Sequence, residues 1–352
     1  RFADRLTTRR LTRWLGIGLV FLREVRQDIQ DTALIEAQIR DFQPDLLYLG
    51  HIMPLTRALM PLLARQPLPI VADEGGKGLI YSWQDRGLWQ RFQTEFPQKN
   101  GFLRCVKRAF NWLVFRLSRG RIKQEWTFPT NIQAFFNSNL NLNNALSEGV
   151  PLARTQVIHS GIDITQFSLK REKKFGNPLT ILVPGRIEEN KGQLDAVRVG
   201  AALKAMGIPF ELTLVGERWN QKYAEKVDAE ILALGLKSQV RTLPMLSRGE
   251  LVRLYHQADI TFFPSKHRSG FSRIPLEAMA CGSLLISYGN EGSDEIIQAE
   301  ENGLILAPED SQAAAEEFAR LLNQPDRVRQ IIKMARQTVE DSCSMGSYLS
   351  RI

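Results

Sequence analysis

From residue 179 onward the sequence alternates short, nearly all-apolar, β-rich runs with segments of helix length. The apolar runs are Leu179–Pro184, Phe210–Val215, Val240–Leu243, Ile260–Phe263 and Leu284–Ser287, and residues 193–206, 224–236 and 249–257 lie between them. A strand apolar on both faces must be covered on both faces, and a strand–helix–strand unit brings its second strand back parallel to the first. This half is therefore restricted to a parallel sheet wound with helices on both sides. The first half shows the pattern less regularly, with 46–49, 70–72, 134–137 and 156–159 reading as strands. At 352 residues the chain is too long for one ordinary core, so two domains are expected, 1–165 and 166–352. The stretch "SLKREKKFGN" beside the boundary reads as a solvated linker. Two such domains in tandem would leave a cleft at the carboxyl ends of their strands, where open α/β sheets bind ligands.

Charge separates the halves as well. Residues 1–165 carry 22 Lys and Arg against 14 Asp and Glu, whereas 166–352 carry 24 of each, so the whole net charge of +8 belongs to the first half. That points to a surface interaction there. The three cysteines and four histidines are scattered, without disulfide or metal-ligand spacing. A reducing, cytoplasmic setting fits best. The longest apolar run, residues 15–22, is only eight long. A spanning helix needs about 20, so this run is expected to be a buried strand or helix.

The best source of the charge asymmetry is residues 103–121. At 100° per residue, Leu103, Val106, Phe110, Leu113, Val114 and Leu117 fall on one face and suggest a core stripe. The other side collects Arg104, Arg108, Arg116 and Arg119, with Trp112 and Phe115 among them. Aromatics among arginines suit an anionic membrane interface, with a solvated basic face as the alternative. No nucleic-acid motif accompanies the local charge, so nucleic acid is not expected as a partner.

Two strand ends carry candidate chemistry. "VPGRIEENKGQLDAV" sets Arg186 and Lys191 beside Gly185 and Gly192, just past a strand and before a helix. Two cations in that place suit a diphosphate, and equally an ordinary turn with solvated charges. "SGFSRIPLEAMACG", residues 269–282, is a second strand–loop–helix start, with Ser272 as a possible cap, Pro275 in the first turn and Gly282 at the end. It offers amides to an anion and one carboxylate, Glu277. That carboxylate suits a ribose diol, or simply an acid in a helix's first turn.

Taken together with "HSGIDITQF", "LVGE" and "SYGNEGSDEII", these segments resemble the retaining glycosyltransferases of the GT-B fold, specifically the glycogen-synthase-like group numbered family 4. The resemblance covers residues 156–310 in the order and spacing of its motifs, and the first half only loosely. It implies two Rossmann-like, doubly wound α/β domains facing each other across a cleft, the first binding the acceptor and the second the nucleotide sugar. Arg186 and Lys191 match the pair holding the diphosphate as leaving group. Glu277 matches the ribose-binding acid, and the backbone of Gly270, Phe271, Ser272, Arg273 and Ile274 the loop contacting sugar and phosphates. Leu243 and Met245 fall where the base is held.

The family's paired glutamates stand eight apart, and the first position here is Ser269. That leaves the identity of the sugar open. The implied reaction is transfer with retention from a nucleoside-diphosphate sugar to a glycan or lipid-linked acceptor, without a cofactor or metal. No Asp-x-Asp pair is present. In the first half, Asp73 stands where family members often have a histidine and is the catalytic candidate there, and Glu74 and His51 are acceptor candidates; loop carboxylates or capped turns are the alternative for all three. The family's glycine-rich loop after its first strand is not found in residues 1–30, so the first strand and loop are expected to be missing from this domain. A non-catalytic relative that binds a glycan or a partner is the alternative. A dinucleotide oxidoreductase is disfavoured, since no Gly-x-Gly-x-x-Gly follows a strand.

Overall fold

The computed structural model describes residues 2–50, 58–84, 87–95, 101–122, 125–169, 175–268 and 270–352. They divide into two units, one of Arg1–Phe135 with Asn143–Gln156 and one of Phe136–Leu142 with Val157–Ile352.

The first unit runs α1 (Phe2–Phe42), β1 (Leu47–Leu49), α2 (Leu59–Leu63), β2 (Ile70–Glu74), α3 (Gly78–Gln84), α4 (Gly87–Glu95), α5 (Gly101–Leu117), β3 (Ile132–Phe136), α6 (Asn139–Ser147) and β4 (Arg154–Val157). Its strands form one sheet in the order β1-β2-β3-β4, with β1 parallel to β2. The apolar run at 15–22 lies in the long helix α1. It is not buried all round. The helical period turns Phe21, Val25 and Ile29 toward Trp89, Phe92 and Phe110, leaving Val20 and Leu22 exposed.

The face expected to be core on α5 is also corrected. Lys107, Asn111, Val114 and Ser118 are buried, while Val106, Leu113 and Leu117 are exposed together with Trp112 and Phe115. Polar contacts fix this rotation. Lys107 Nζ donates to the carbonyl of Gln93 at 2.6 Å, and the Asn111 and Gln93 side-chain amides bond reciprocally at 2.8 and 3.1 Å. Apolar periodicity along a helix carries no information about such partners.

The second unit continues with β5 (Leu179–Pro184), α7 (Gln193–Ala205), β6 (Phe210–Val215), α8 (Gln221–Ala233), β7 (Val240–Leu243), α9 (Arg248–Gln257), β8 (Ile260–Phe263), α10 (Ile274–Cys281), β9 (Leu284–Ser287), β10 (Leu304–Ile305), α11 (Ser311–Leu322), α12 (Pro325–Ser342) and α13 (Met345–Leu349). Its six strands run parallel in the order β10-β9-β8-β5-β6-β7. β8 and β9 are buried at every position. Phe262 meets Tyr288 and Phe318 edge to face on one side of the sheet, and Leu276 and Met279 of α10 pack on the other. The chain winds outward from β5 through β6 to β7, then returns to β8 on the other side. The switch point is therefore between β5 and β8, and a ligand crevice opens outside their carboxyl ends.

Candidate functional site

The turn after β5 is shaped by glycine. Gly216, at the end of β6, has φ +155°, and a Cβ there would lie 2.1 Å from the Gly185 carbonyl oxygen. Gly192 has φ +69°, and a Cβ on it would lie 2.1 Å from the Pro264 carbonyl oxygen after β8. Both contacts are impossible for a larger residue, so the two turns close on each other only because these positions are glycine. Gly185 itself has φ +135°, with Ile274 Cδ1 3.6 Å from its Cβ direction and the Lys191 stem at 3.9 Å. Thus Lys191 of one motif and Ile274 of the other both lie close to Gly185. Leu243 joins the row, its carbonyl accepting from Gly216 N at 3.1 Å, and Met245 beyond it is exposed.

The two cations sit differently. Arg186 is half exposed, pairs with Glu188 at 3.0 Å and lies 4.7 Å over the Trp219 ring. Lys191 is mostly buried, and its ammonium bonds the Glu291 carboxylate. Glu291 Oε1 also accepts from Ser265 Oγ at 2.5 Å. Its backbone N–H donates to Asp294 Oδ2 at 2.8 Å, and Ser287 Oγ donates to Asp294 Oδ1 at 2.7 Å. Burial pushes the Asp294 carboxyl up to about 6 despite those donors. Lys191 and Glu291 are 100 residues apart in sequence, so no local pattern announces their pairing.

The loop before α10 is anchored from behind. Gly270 N donates to Asn141 Oδ1 at 2.9 Å, and its carbonyl accepts from Gly292 N at 3.1 Å. Phe271 stacks on His159 with ring centres 5.8 Å apart. His159 in turn meets Glu295 at 3.2 Å, and Glu295 accepts from Asn139 N and Leu140 N at 2.9 and 2.7 Å. Those amide bonds hold its carboxyl below the usual range against the opposing effect of burial. The cap expected from Ser272 is not formed. Arg273 is the N-cap without a side-chain bond, and Ser272 Oγ accepts from Ile274 N at 3.3 Å. Pro275 and the left-handed Gly282 stand at the start and end of α10 as expected. Glu277 is buried, with Tyr255 donating to Oε2 at 2.9 Å, and burial raises its carboxyl. Ser269 lies outside the described residues.

Residues 165–338 match the family model for glycosyl transferases group 1. This half of the chain belongs to that family. The glycogen synthase of Mycobacterium tuberculosis is 27% identical over 232 residues, 65% of this chain and 55% of that protein. The amylovoran biosynthesis glycosyltransferase AmsK of Erwinia amylovora is 29% identical over 200 residues, 55% of this chain and 48% of that protein. The chain thus spans about half the length of the curated relatives it matches. Among solved structures, Anabaena HepE in complex with UDP and glucose aligns with TM-score 0.62 and 18% identity, over 90% of this chain and 79% of that one. The two α/β domains, with sheets of four and six strands, are those of the GT-B fold.

Outside the group 1 domain, the acceptor-side candidates Asp73 and Glu74 are the last two residues of β2. Asp73 Oδ2 accepts from Tyr48 O–H at 2.7 Å. The buried Glu74 carboxylate takes Gly76 N at 2.9 Å, Gly78 N at 3.0 Å and Leu79 N at 2.6 Å, so it caps the start of α3. His51 lies outside the described residues. On α5 and just past it, Arg108, Trp112, Phe115 and Arg119 are all exposed. No helix among the described residues is long and apolar enough to cross a membrane. Glu291, Ser265, Asp294, Glu295 and Asn141 escape the sequence reading. "SYGNEGSDEII" flagged the segment of three of them without giving a role.

Proposed function

We propose that the chain is a metal-independent retaining glycosyltransferase, moving a hexose from a nucleoside-diphosphate sugar to a glycan or lipid-linked acceptor in the synthesis of a surface polysaccharide or glycolipid. The observation that carries this reading is that Lys191 and Ile274, from the two motifs, both lie close to Gly185 at the switch point, with Arg186 next in the chain. Two cations at strand ends in a sheet of this topology suit a diphosphate. The UDP and glucose held by HepE, and the glycogen and amylovoran chemistry named for the two relatives, support it.

In this mechanism Arg186 leaves Trp219 and Glu188 to fork the leaving phosphate, and Lys191 exchanges the Glu291 carboxylate for it. Both contacts strengthen as charge develops on the leaving group, which is where binding energy accelerates a reaction. The acceptor hydroxyl attacks on the same face with the leaving phosphate as its base. Glu277, oriented by Tyr255, accepts from the ribose diol. The Gly270–Ile274 loop contacts the sugar, Ser269 replaces the usual acid there, and Leu243 and Met245 flank the base. Asp73 and His51 are assigned to the acceptor, whereas the Glu74 carboxylate is occupied by amides and serves the turn. The exposed Arg108, Trp112, Phe115 and Arg119 suit an anionic membrane face, and salt-sensitive binding to anionic vesicles is the check.

The test is a panel of nucleotide sugars, read by thermal shift and by release of free nucleotide. Shift with release supports transfer. Shift without release selects the alternative that Ser269 favours, a non-catalytic sugar-binding relative. No shift with any nucleotide contradicts both. Ser269→Glu should leave nucleoside-diphosphate binding within a few-fold and change the preferred sugar by roughly 1–3 kcal/mol, the worth of one polar contact. An unchanged order of donors would remove Ser269 as a specificity residue.

A further inference from the structure

A cavity of about 590 Å³ opens between α4 and α5 in the first unit, lined by Arg104, Lys107 and Arg108 along one helix and by Gln93, Asn111, Glu125 and Trp126 among others. That volume lies within the range of small-molecule sites, about 300–1,000 Å³. Three cations against one carboxylate leave the lining with a net of two positive charges. Lys107 is only 9% exposed. Its ammonium donates to one neutral acceptor, the Gln93 carbonyl at 2.6 Å, and among the described residues no carboxylate pairs with it. Buried charges are ordinarily paired, because an uncompensated one is costly to desolvate. Arg104 and Arg108 likewise form no ion pair among the described residues. The wall is fixed in advance, since the reciprocal amide pair of Gln93 and Asn111 and the Lys107 bond all converge on one residue of α4.

We infer that this cavity is a second anion site, built for the phosphate monoester of a small molecule or lipid headgroup. A phosphate monoester carries about −1.5 to −2 at neutral pH and three strong acceptor oxygens, which matches two net positive charges with spare donors. Two guanidiniums at the mouth suit its planar pairs of oxygens, and the buried ammonium supplies the point charge. The cavity is much larger than the phosphate alone, and the Trp126 ring offers a wall for what the phosphate is attached to. The assignment uses only first-unit residues and stands whether or not the chain transfers sugar.

The test is calorimetry on the full chain with two probes, glycerol 3-phosphate and dihexanoyl phosphatidate kept below its micellar concentration. Comparison is made with the Arg104→Gln/Arg108→Gln variant, both of whose changes are on exposed side chains, and with Arg186→Ala as a control. Binding of either probe should weaken by about ten-fold or more in the double variant, as expected for lost charge-assisted bonds, and stay unchanged in Arg186→Ala. Lys107→Met should weaken it too, with the circular-dichroism spectrum showing the fold retained. Binding of glycerol 3-phosphate identifies a soluble phosphate ester as sufficient, and binding of phosphatidate alone identifies a headgroup; both support the site. Millimolar failure of both probes, affinity unmoved by the double variant, or loss through Arg186→Ala alone would overturn it.

Discussion

The turn after β2 and the turn after β5 are built to one plan, a strand followed by glycines and a cation before a helix, yet they leave opposite surfaces. After β2 the chain supplies its own anion, because the Glu74 carboxylate takes three amides at the start of α3. After β5 no such carboxylate precedes α7. Its N-cap is Gly192, without a side-chain cap; the cation Lys191 stands just before it, and the first-turn acid Asp195 is paired with Lys266 at 2.9 Å. The first turn is closed by an internal acid. The second borrows a counter-ion from 100 residues away, Glu291, which the proposed mechanism has it exchange for the leaving phosphate. Topology offers the same anion-binding corner in both places, and side-chain supply decides which one stays open.

The largest effect that would break this contrast is on turnover. Arg186→Ala and Lys191→Ala should each cut nucleotide release by about 10²-fold or more, the size of a transition-state contact worth roughly 3 kcal/mol. Glu74→Ala should leave turnover within a few-fold. Steady-state rates on the three variants decide, and a Glu74→Ala loss as deep as that of Lys191→Ala would dissolve the distinction. Glu74→Ala should instead cost about 2–4 kcal/mol of stability, through two buried amides and one part-buried amide left without an acceptor. Urea denaturation measures it, and a cost below 0.5 kcal/mol would deny the capping role.

Glu291→Gln sharpens the contrast by removing the borrowed counter-ion. Breaking a buried pair is destabilising by about 3 kcal/mol, and bound UDP should restore part of that loss. The UDP-induced rise in melting temperature should therefore be larger in the variant than in the wild type; an equal or smaller rise means that Lys191 does not exchange partners. The smallest effect concerns pH. The Asp294 carboxyl is pushed up to about 6 by burial from its ordinary 3.8, so the folded protein binds that proton more tightly than the unfolded one. Its stabilising contribution is full below 3.8 and is lost as pH rises through about 6. Lowering the pH from 7 to 5 should stabilise the wild type relative to Asp294→Asn by about 1 kcal/mol. Parallel stability curves for the two proteins would remove Asp294 as the cause.

The same two regions show what sequence reveals. The five expected strands of the second unit have the observed boundaries, because strands covered on both faces are written as continuous apolar runs. In the first unit the strand ends shift by up to two residues, and the outer strand β1 is partly exposed along its whole length, so its pattern is diluted. Gly185, Lys191 and Ile274 were recognisable because strand, glycine and cation are close in sequence. Glu291 and Asn141 were not, since each acts on a residue more than 90 positions away and carries no local signature. The rotation of α5 was hidden for a related reason. It is set by Gln93 contacts rather than by apolar periodicity.

The central claim is that the open corner at the β5 and β8 ends takes the donor diphosphate while the β2 corner stays closed. Amide hydrogen exchange on the full chain, with and without saturating UDP, tests it directly. Slowed exchange should appear in residues 185–192 and 270–277 and be absent from 74–79. Protection at 74–79, or unchanged exchange at both second-unit turns under UDP concentrations that raise the melting temperature, would contradict the account.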